Sequence, residues 1–346
     1  MSITIRDLAR ASGVSAATVS YVLNNGPKPV KPETRERVLK AAAELNYHPN
    51  AVARGLGLKR GLSLKRMNTI GLINQFAVWP GNQYFSAILD GILYACNAAR
   101  QGTTIFAEHS WDDMSANQAT YFDGRCDGFI LLAAPSVHPL FEAFQRRQLP
   151  VVVIGDLLPD LDVSCIDVDN ALAAEEAVSY LIDQGHRRIG MLCGDFVSAS
   201  ARLRLDGYRQ ALAKAGIAYD ETLVLPGGHY ARSGHERALQ ILQWPADRRP
   251  TALFCSNDGI ALGVLDALHE LKVSVPEEIS VCGFDDIPSA PLAQPALTTV
   301  RQPLNRIGMR AVELLLEQIT AGKPTGRKEV LPAELIIRDS VAALAE

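Results

Sequence analysis

No membrane-length apolar run, no paired cysteines and few aromatic residues mark this chain of 346 residues, in which Phe, Trp and Tyr make up 6%. A membrane span needs about 20 consecutive apolar residues, and none of that length occurs. The N-terminus shows no basic stretch followed by an apolar core, so a secretory leader is not expected. The six cysteines, Cys96, Cys126, Cys165, Cys193, Cys255 and Cys282, are scattered without a C-x-x-C pair. That pattern excludes a disulfide framework and a zinc site, and it predicts buried thiols in a cytoplasmic protein. "LCGDF" and "PGGHY" contain glycine but not the strand, G-x-G-x-x-G and helix arrangement of a dinucleotide site. "DIPSAP" has no G-x-S-x-G elbow. In "GHRRIG", Gly185 is expected to end a helix, which leaves His186 on a connecting turn and not in a catalytic role. No cofactor, metal or catalytic residue is expected, and the chain does not read as an enzyme.

What is present is unevenly distributed. The length suggests two or three domains. Residues 1–66 carry 12 Lys and Arg against 4 Asp and Glu, a net +8, within a chain of net charge −4; the remainder is therefore at −12. A small basic head on a large acidic body predicts that the head meets a polyanion.

The head reads as three short helices. Thr4 can cap the first, with Asp7 at the third helical position and an apolar stripe of Ile5, Leu8 and Ala9. Gly13 breaks it at a tight turn. Ser15 caps a second helix, running to about Leu23, whose inward residues are Val19, Val22 and Leu23. Pro32 starts a third helix that ends near Leu45, with Val38, Leu39, Ala42 and Leu45 facing inward; Lys31 is a poor cap for it. Helix, glycine turn and helix in a basic segment form the helix-turn-helix arrangement. The helix after Ser15 is then the recognition helix. Its outward side chains are small because they lie against base edges: Ala16 and Ala17 can touch a thymine methyl, while Thr18, Ser20 and Tyr21 can reach bases or phosphates.

"TIRDLARASGVSAATVSYVLNN", followed by "LNYHPNAVARGL", resembles the lactose/galactose-repressor (LacI/GalR) family of bacterial transcription regulators, and the likeness runs through nearly the whole chain. The resemblance implies a hinge helix in "YHPNAVARGL" that orders on operator DNA and inserts Leu56 into the minor groove beside Ala53, a wedge that bends the duplex. Thr4, Ser15, Asn24, Tyr47 and Asn50 complete the residues placed against DNA. Gly55 and Gly57 depart from the family pattern and raise the cost of folding that helix by about 1 kcal/mol each relative to alanine.

From about Asn68 the pattern alternates between strands and helices. The apolar runs "TIGLI", "TTIFA", "GFILLAA", "PVVVIG", "SCIDV", "RIGMLCG", "TALFCS" and "ISVCGF" predict strands of parallel sheets in an α/β fold. Ligands of such sheets bind beyond the carboxyl ends of strands, where Asp156, Asn257 and Asp285 fall. The resemblance implies a periplasmic-binding-protein-like body of two subdomains with three chain crossings. It places Tyr84 and Phe85 near a pocket floor, Arg204 against a ligand hydroxyl or carboxylate, Ser198 and Ser200 as ligand-selecting side chains, and His229 where an aromatic stacks. Asn257 and Asp285 supply an amide and an acid, as a polyhydroxylated ligand requires.

The expected organisation is a helix-turn-helix domain at 1–46, a hinge helix and linker at 47–67, and an effector-binding and dimerisation core at 68–346. Within the core, one subdomain takes about 68–168 and 300–330 and the other about 169–298 and 331–346. The expected function is sequence-specific repression of transcription, controlled by a sugar or related polyhydroxylated effector. The expected partners are a palindromic operator and a second copy in a homodimer, with no extra heptad helix after "LIIRDSVAALAE" to build a tetramer. A solute-binding protein or a small-molecule enzyme with an accessory basic head is the alternative.

Overall fold

The structure is a computed structural model that describes residues 5–23, 30–45, 66–75, 81–108, 117–135, 138–158 and 161–344. It divides into two units, Met1–Met67 and Asn68–Glu346.

In the first unit, helices α1 (Ile5–Ser12), α2 (Ala16–Leu23) and α3 (Pro32–Glu44) pack on one another. Their small core holds Leu8, Val19 and Val38, all wholly buried, with Ala9, Val22 and Ala41 around them. Gly13 takes a positive φ of 67°, and the Val14 N–H donates to the Ala9 carbonyl at 3.1 Å, so the chain turns within three residues between α1 and α2. Ser15 Oγ accepts the Thr18 N–H at 3.1 Å and fixes the start of α2, as its cap position predicts. One inward assignment is corrected. Leu39 is 48% exposed, and Ala41 takes the inner place beside Val38, because three residues and not one separate neighbours on a helix face.

The second unit is built on two six-stranded sheets. The first has the order β11-β5-β4-β3-β1-β2, from β1 (Thr69–Asn74), β2 (Gly102–Ala107), β3 (Gly128–Leu132), β4 (Val151–Ile154), β5 (Ser164–Val168) and β11 (Lys328–Leu331). The second has the order β12-β10-β9-β8-β6-β7, from β6 (Ile189–Leu192), β7 (Val224–Leu225), β8 (Ala252–Cys255), β9 (Ser280–Asp285), β10 (Thr298–Arg301) and β12 (Glu334–Ile336). All pairings are parallel except β10 with the edge strand β12. Every residue of β3, β4, β5, β6, β8 and β9 is buried, which is why these strands are continuous apolar runs and not alternating ones.

The eight apolar runs are all strands. Four others were not anticipated: β7 has two residues, β10 is polar at both threonines, and β11 and β12 are short and partly exposed. The chain passes from one sheet to the other three times, after β5, after β10 and after β11.

Helices cover the sheets: α4 (Gln83–Ala98), a single turn α5 (Gln118–Tyr121), α6 (Pro139–Arg147), α7 (Asn170–Asp183), α8 (Ala199–Lys214), α9 (Ala231–Leu242), α10 (Asp258–Glu270) and α11 (Leu304–Ala321). Helices α4 and α11 meet backbone to backbone. A Cβ on Gly91 of α4 would lie 2.0 Å from the Asn305 carbonyl oxygen, and one on Gly308 of α11 would lie 2.2 Å from that of Ile88. This contact joins the helix before β2 to the helix that follows the second crossing. His186 is structural: it is buried, its Nδ1 lies 3.0 Å from Thr251 Oγ1 and its Nε2 lies 3.2 Å from the Ala342 carbonyl. Burial lowers its pKa, so it holds the chain's end in place as a neutral ring. Among the described residues, no helix is long and apolar enough to cross a membrane.

Candidate functional site

Strand ends of both sheets open into one cavity of about 760 Å³. Gln75, Ala133 and Gly155 reach it directly after β1, β3 and β4 of the first sheet. Asp195, Gly227, Asn257 and the last residue of β9, Asp285, reach it from the second. Parallel α/β sheets bind ligands at this edge, because loops leave the strands there and helix N-termini point at it.

The cavity's charged centre is Arg204, on the inner face of α8. It is 5% exposed and lies 3.6 Å from the Asp285 carboxyl through Nη1. Its Nε donates to Asn170 Oδ1 at 2.9 Å, Nη1 donates to the Ser256 carbonyl, and the guanidinium stacks 3.7 Å above the Phe284 ring. Asn170 Nδ2 in turn donates to Asp167 Oδ2 at 2.8 Å. On the other side, Gln302 Nε2 donates to Asp285 Oδ1 at 2.7 Å. The two charged residues are thus each gripped from a crossing between the sheets: Arg204 by Asn170, at the first, and Asp285 by Gln302, at the second.

Burial pushes the Asp285 carboxyl up to about 8, against the pull of Arg204 and the Gln302 amide. It pushes Asp167 and Asp258 up to about 6. Asp258 opens α10 and is fully buried, accepting the Ile287 N–H at 2.9 Å and the Thr299 hydroxyl at 2.5 Å. Asp285 sits at a φ of 124° and Asp286 at 56°, a turn that costs about 1–3 kcal/mol per such residue. Arg301 Nε and Arg338 Nη2 hold it by donating to Asp286 at 2.7 Å each.

Neutral hydrogen-bonding groups surround this pair. Asn257 Oδ1 caps α10 at the Ile260 N–H, 2.8 Å away, and its Nδ2 donates to the His229 carbonyl at 3.1 Å. The His229 ring lies against Gly194, where a Cβ would come within 1.9 Å of its Cε1. Burial, with Arg204 adding to it, lowers the His229 pKa to about 4, so the ring is uncharged. Its Nε2 is buried with no hydrogen-bond partner among the described residues. Ser198 and Ser200 share a hydrogen bond of 2.7 Å at the start of α8. Tyr84 lines the cavity too, and burial raises its phenol so that it stays protonated.

Seven of the nine residues expected around a ligand, Tyr84, Ser198, Ser200, Arg204, His229, Asn257 and Asp285, come together here. Two do not, and their placement is corrected. Phe85 points into the core of the first sheet's lobe with Ile88 and Ile92, because its helix turns the preceding residue, Tyr84, to the cavity instead. Asp156 lies buried beside the cavity wall and accepts the Leu158 N–H at 3.0 Å, fixing the loop after β4. Sequence reasoning missed Asn170 and Gln302, whose amides only gain meaning from the crossings, and Asp167, whose place at the end of "SCID" parallels that of Asp285. It also missed Gln83. This residue bridges the lobes, donating through Nε2 to Ser289 Oγ at 2.5 Å and accepting the Ser289 N–H at 2.9 Å.

In the head, α2 presents Ala17 to solvent, with Ala16, Thr18, Ser20 and Tyr21 half-buried around it. Ser15 is exposed but serves α2 as its cap. Thr4, Asn24, Tyr47, Asn50, Ala53 and Leu56, and with them the hinge helix, lie outside the described residues.

Comparison with known proteins covers both units. Residues 4–50 match the bacterial regulatory proteins of the lacI family, and residues 178–341 match the periplasmic binding protein-like domain. The HTH-type transcriptional repressor PurR of Vibrio vulnificus is 35% identical, covering 98% of this chain and 98% of its own length. The ribose operon repressor of Escherichia coli is 34% identical over 98% and 99%. Among solved structures, a lac repressor dimer bound to operator and the anti-inducer ONPF matches with a TM-score of 0.81 at 27% identity, covering 99% of this chain and 100% of that one. A complex of the transcriptional regulator CelR with cellobiose matches with a TM-score of 0.72 at 30% identity, covering 98% and 99%.

Proposed function

We propose a mechanism for a chain that belongs to the lacI family of bacterial regulatory proteins: a sugar or similar polyhydroxylated molecule, held in the cavity at Arg204 and Asp285, sets how the head engages its operator. The protein is a DNA-binding transcription repressor with a small-molecule effector domain. The observation that carries the effector class is the cavity's lining. A buried guanidinium and carboxyl at 3.6 Å stand among an amide, two serines, a neutral imidazole and a tyrosine, so donors and acceptors alternate as hydroxyl groups require.

On this reading, ligand drawn to Arg204 and Asp285 pulls on Asn170 and Gln302, at two of the three crossings that any movement of one lobe against the other must bend. DNA contact belongs to the recognition helix α2 and to residues 47–67. Two copies on a palindromic operator form the working unit, in the manner of the lac repressor dimer it resembles. The cytoplasm is its site of action. Regulation and not turnover is its activity, since the relatives matched from end to end, head included, are repressors. The test is selection of duplex DNA from a random pool by the full chain, followed by titration of the selected duplex with and without a panel of sugars. A palindromic site whose affinity one sugar alters supports the mechanism; enrichment of no sequence contradicts it.

A further inference from the structure

We infer that the cavity takes an uncharged polyhydroxylated ligand and excludes that ligand's phosphate esters and acids; the inference rests on the effector reading above. The charge balance of the wall carries it. Arg204 is the one Lys or Arg among the described residues lining the cavity, and it is already engaged: its Nε donates to Asn170, its Nη1 donates to the Ser256 carbonyl and lies 3.6 Å from the Asp285 carboxyl, and its face is stacked on Phe284. Asp195 adds a second carboxyl to the lining. Behind it, Asp156, Asp167 and Asp258 are buried within the same lobe ends, with no second buried guanidinium or ammonium among the described residues to offset them. The stretches between described lining residues, 76–80 and 136–137, contain no Lys or Arg in the sequence. A phosphate ester would bring up to two further negative charges into this field, at separations where like charges repel strongly in a medium less polar than water.

Helix N-termini also reach the cavity, and such ends attract anions. They are largely occupied. Asn82 Oδ1 takes the Phe85 N–H at the start of α4, and Asn257 Oδ1 takes the Ile260 N–H at the start of α10, where the Asp258 carboxyl adds its own charge to the first turn. Ahead of α8, Asp195 Oδ1 takes the Val197 N–H. The raised Asp167, Asp258 and Asp285 carboxyls agree with this picture, since the burial that resists their ionisation resists any other anion placed beside them. An uncharged hydroxyl brings no charge into this field and so escapes that repulsion.

The experiment measures thermal stabilisation of the full-length chain by matched pairs: ribose against ribose 5-phosphate, and glucose against glucose 6-phosphate and gluconate, with cellobiose beside them. Stabilisation by a neutral sugar is expected, with the charged counterpart weaker by at least about tenfold. Ser198→Arg, which adds a cation to the lining, should narrow that gap for the phosphate ester. A phosphate ester or acid that binds the parent protein as tightly as its neutral counterpart would overturn the inference while leaving a polyhydroxylated effector in place. Stabilisation by no neutral sugar, while an anionic one binds, would overturn it as well. A panel in which nothing stabilises the protein would remove the effector reading and this inference together.

Discussion

Asn170 accepts a hydrogen bond from Arg204 at 2.9 Å and donates one to Asp167 at 2.8 Å, which ties the cavity's only described cation to the last turn of chain before it leaves the first sheet. Gln302 holds Asp285 in the same way from the second crossing. Binding and lobe geometry thereby share the same hydrogen bonds, and the consequences can be measured.

Asn170→Ala leaves the Arg204 Nε and one Asp167 oxygen buried without their partner. A loss of stability of about 1–3 kcal/mol is expected, because an unmade buried hydrogen bond costs more than a made one contributes. Urea denaturation followed by circular dichroism reads it. A variant as stable as the parent would show that the Asn170 bridge contributes nothing to the fold.

Stability should fall between about pH 6.5 and 8, where Asp285 alone of the raised carboxyls still sets the slope. Its folded pKa of about 8 lies above the value near 4 in an unfolded chain, so its contribution is full below about pH 4, is lost progressively as pH rises and is gone above about 8. Asp167 and Asp258, at about 6, lose theirs at lower pH. His229, lowered to about 4, works in the opposite sense, and its contribution is complete above the usual histidine range and lost on acidification. Melting temperatures at half-unit intervals should therefore decline above pH 6.5 in the parent and stay flatter in Asp285→Asn. Identical slopes in the two proteins would remove Asp285 as the titrating group.

Gln83 and Ser289 clasp the two lobes with a paired hydrogen bond across 206 positions of sequence. Gln83→Ala should lower stability by about 1–3 kcal/mol at most and raise the radius of gyration in small-angle scattering, as the lobes part more readily. An unchanged scattering profile would mean that other contacts hold the lobes.

On the recognition helix, Ala17 is exposed and small. Ala17→Glu should weaken DNA binding by several-fold or more through steric conflict and phosphate repulsion, while Tyr21→Ala should change which bases are preferred more than it changes the salt slope. Selection experiments in which both variants return the parent sequence at parent affinity would move base reading elsewhere.

Much of this arrangement is visible in the sequence, and the reasons differ by element. Most of the eight apolar runs announce parallel strands because both faces are covered, as in β3, β4, β5, β6, β8 and β9, while the largely exposed β2 is legible through its β-branched residues. Edge and short strands such as β12 and β7 bury little and leave no such trace. Ser15, Gly13 and the basic balance make the head legible, since caps and turns are local chemistry. Arg204 and Asp285 are legible through their place in motifs. Asn170 and Gln302 are not, because an amide's role is set by what a crossing brings beside it from 34 and 17 positions away. Phe85 and Tyr84 are indistinguishable in the sequence, two adjacent aromatics at a helix start, and the structure turns only Tyr84 to the cavity.

The central claim is that a ligand in the Arg204–Asp285 cavity governs DNA binding by the head. It is tested most directly by fluorescence anisotropy on a duplex selected by the full-length chain, read with and without a stabilising sugar in the parent and in Asp285→Asn. The account predicts steeply salt-dependent binding in both proteins. The sugar should shift affinity in the parent and leave Asp285→Asn unmoved. A parent whose DNA affinity ignores every sugar that binds it, or an Asp285→Asn that responds as the parent does, would contradict it.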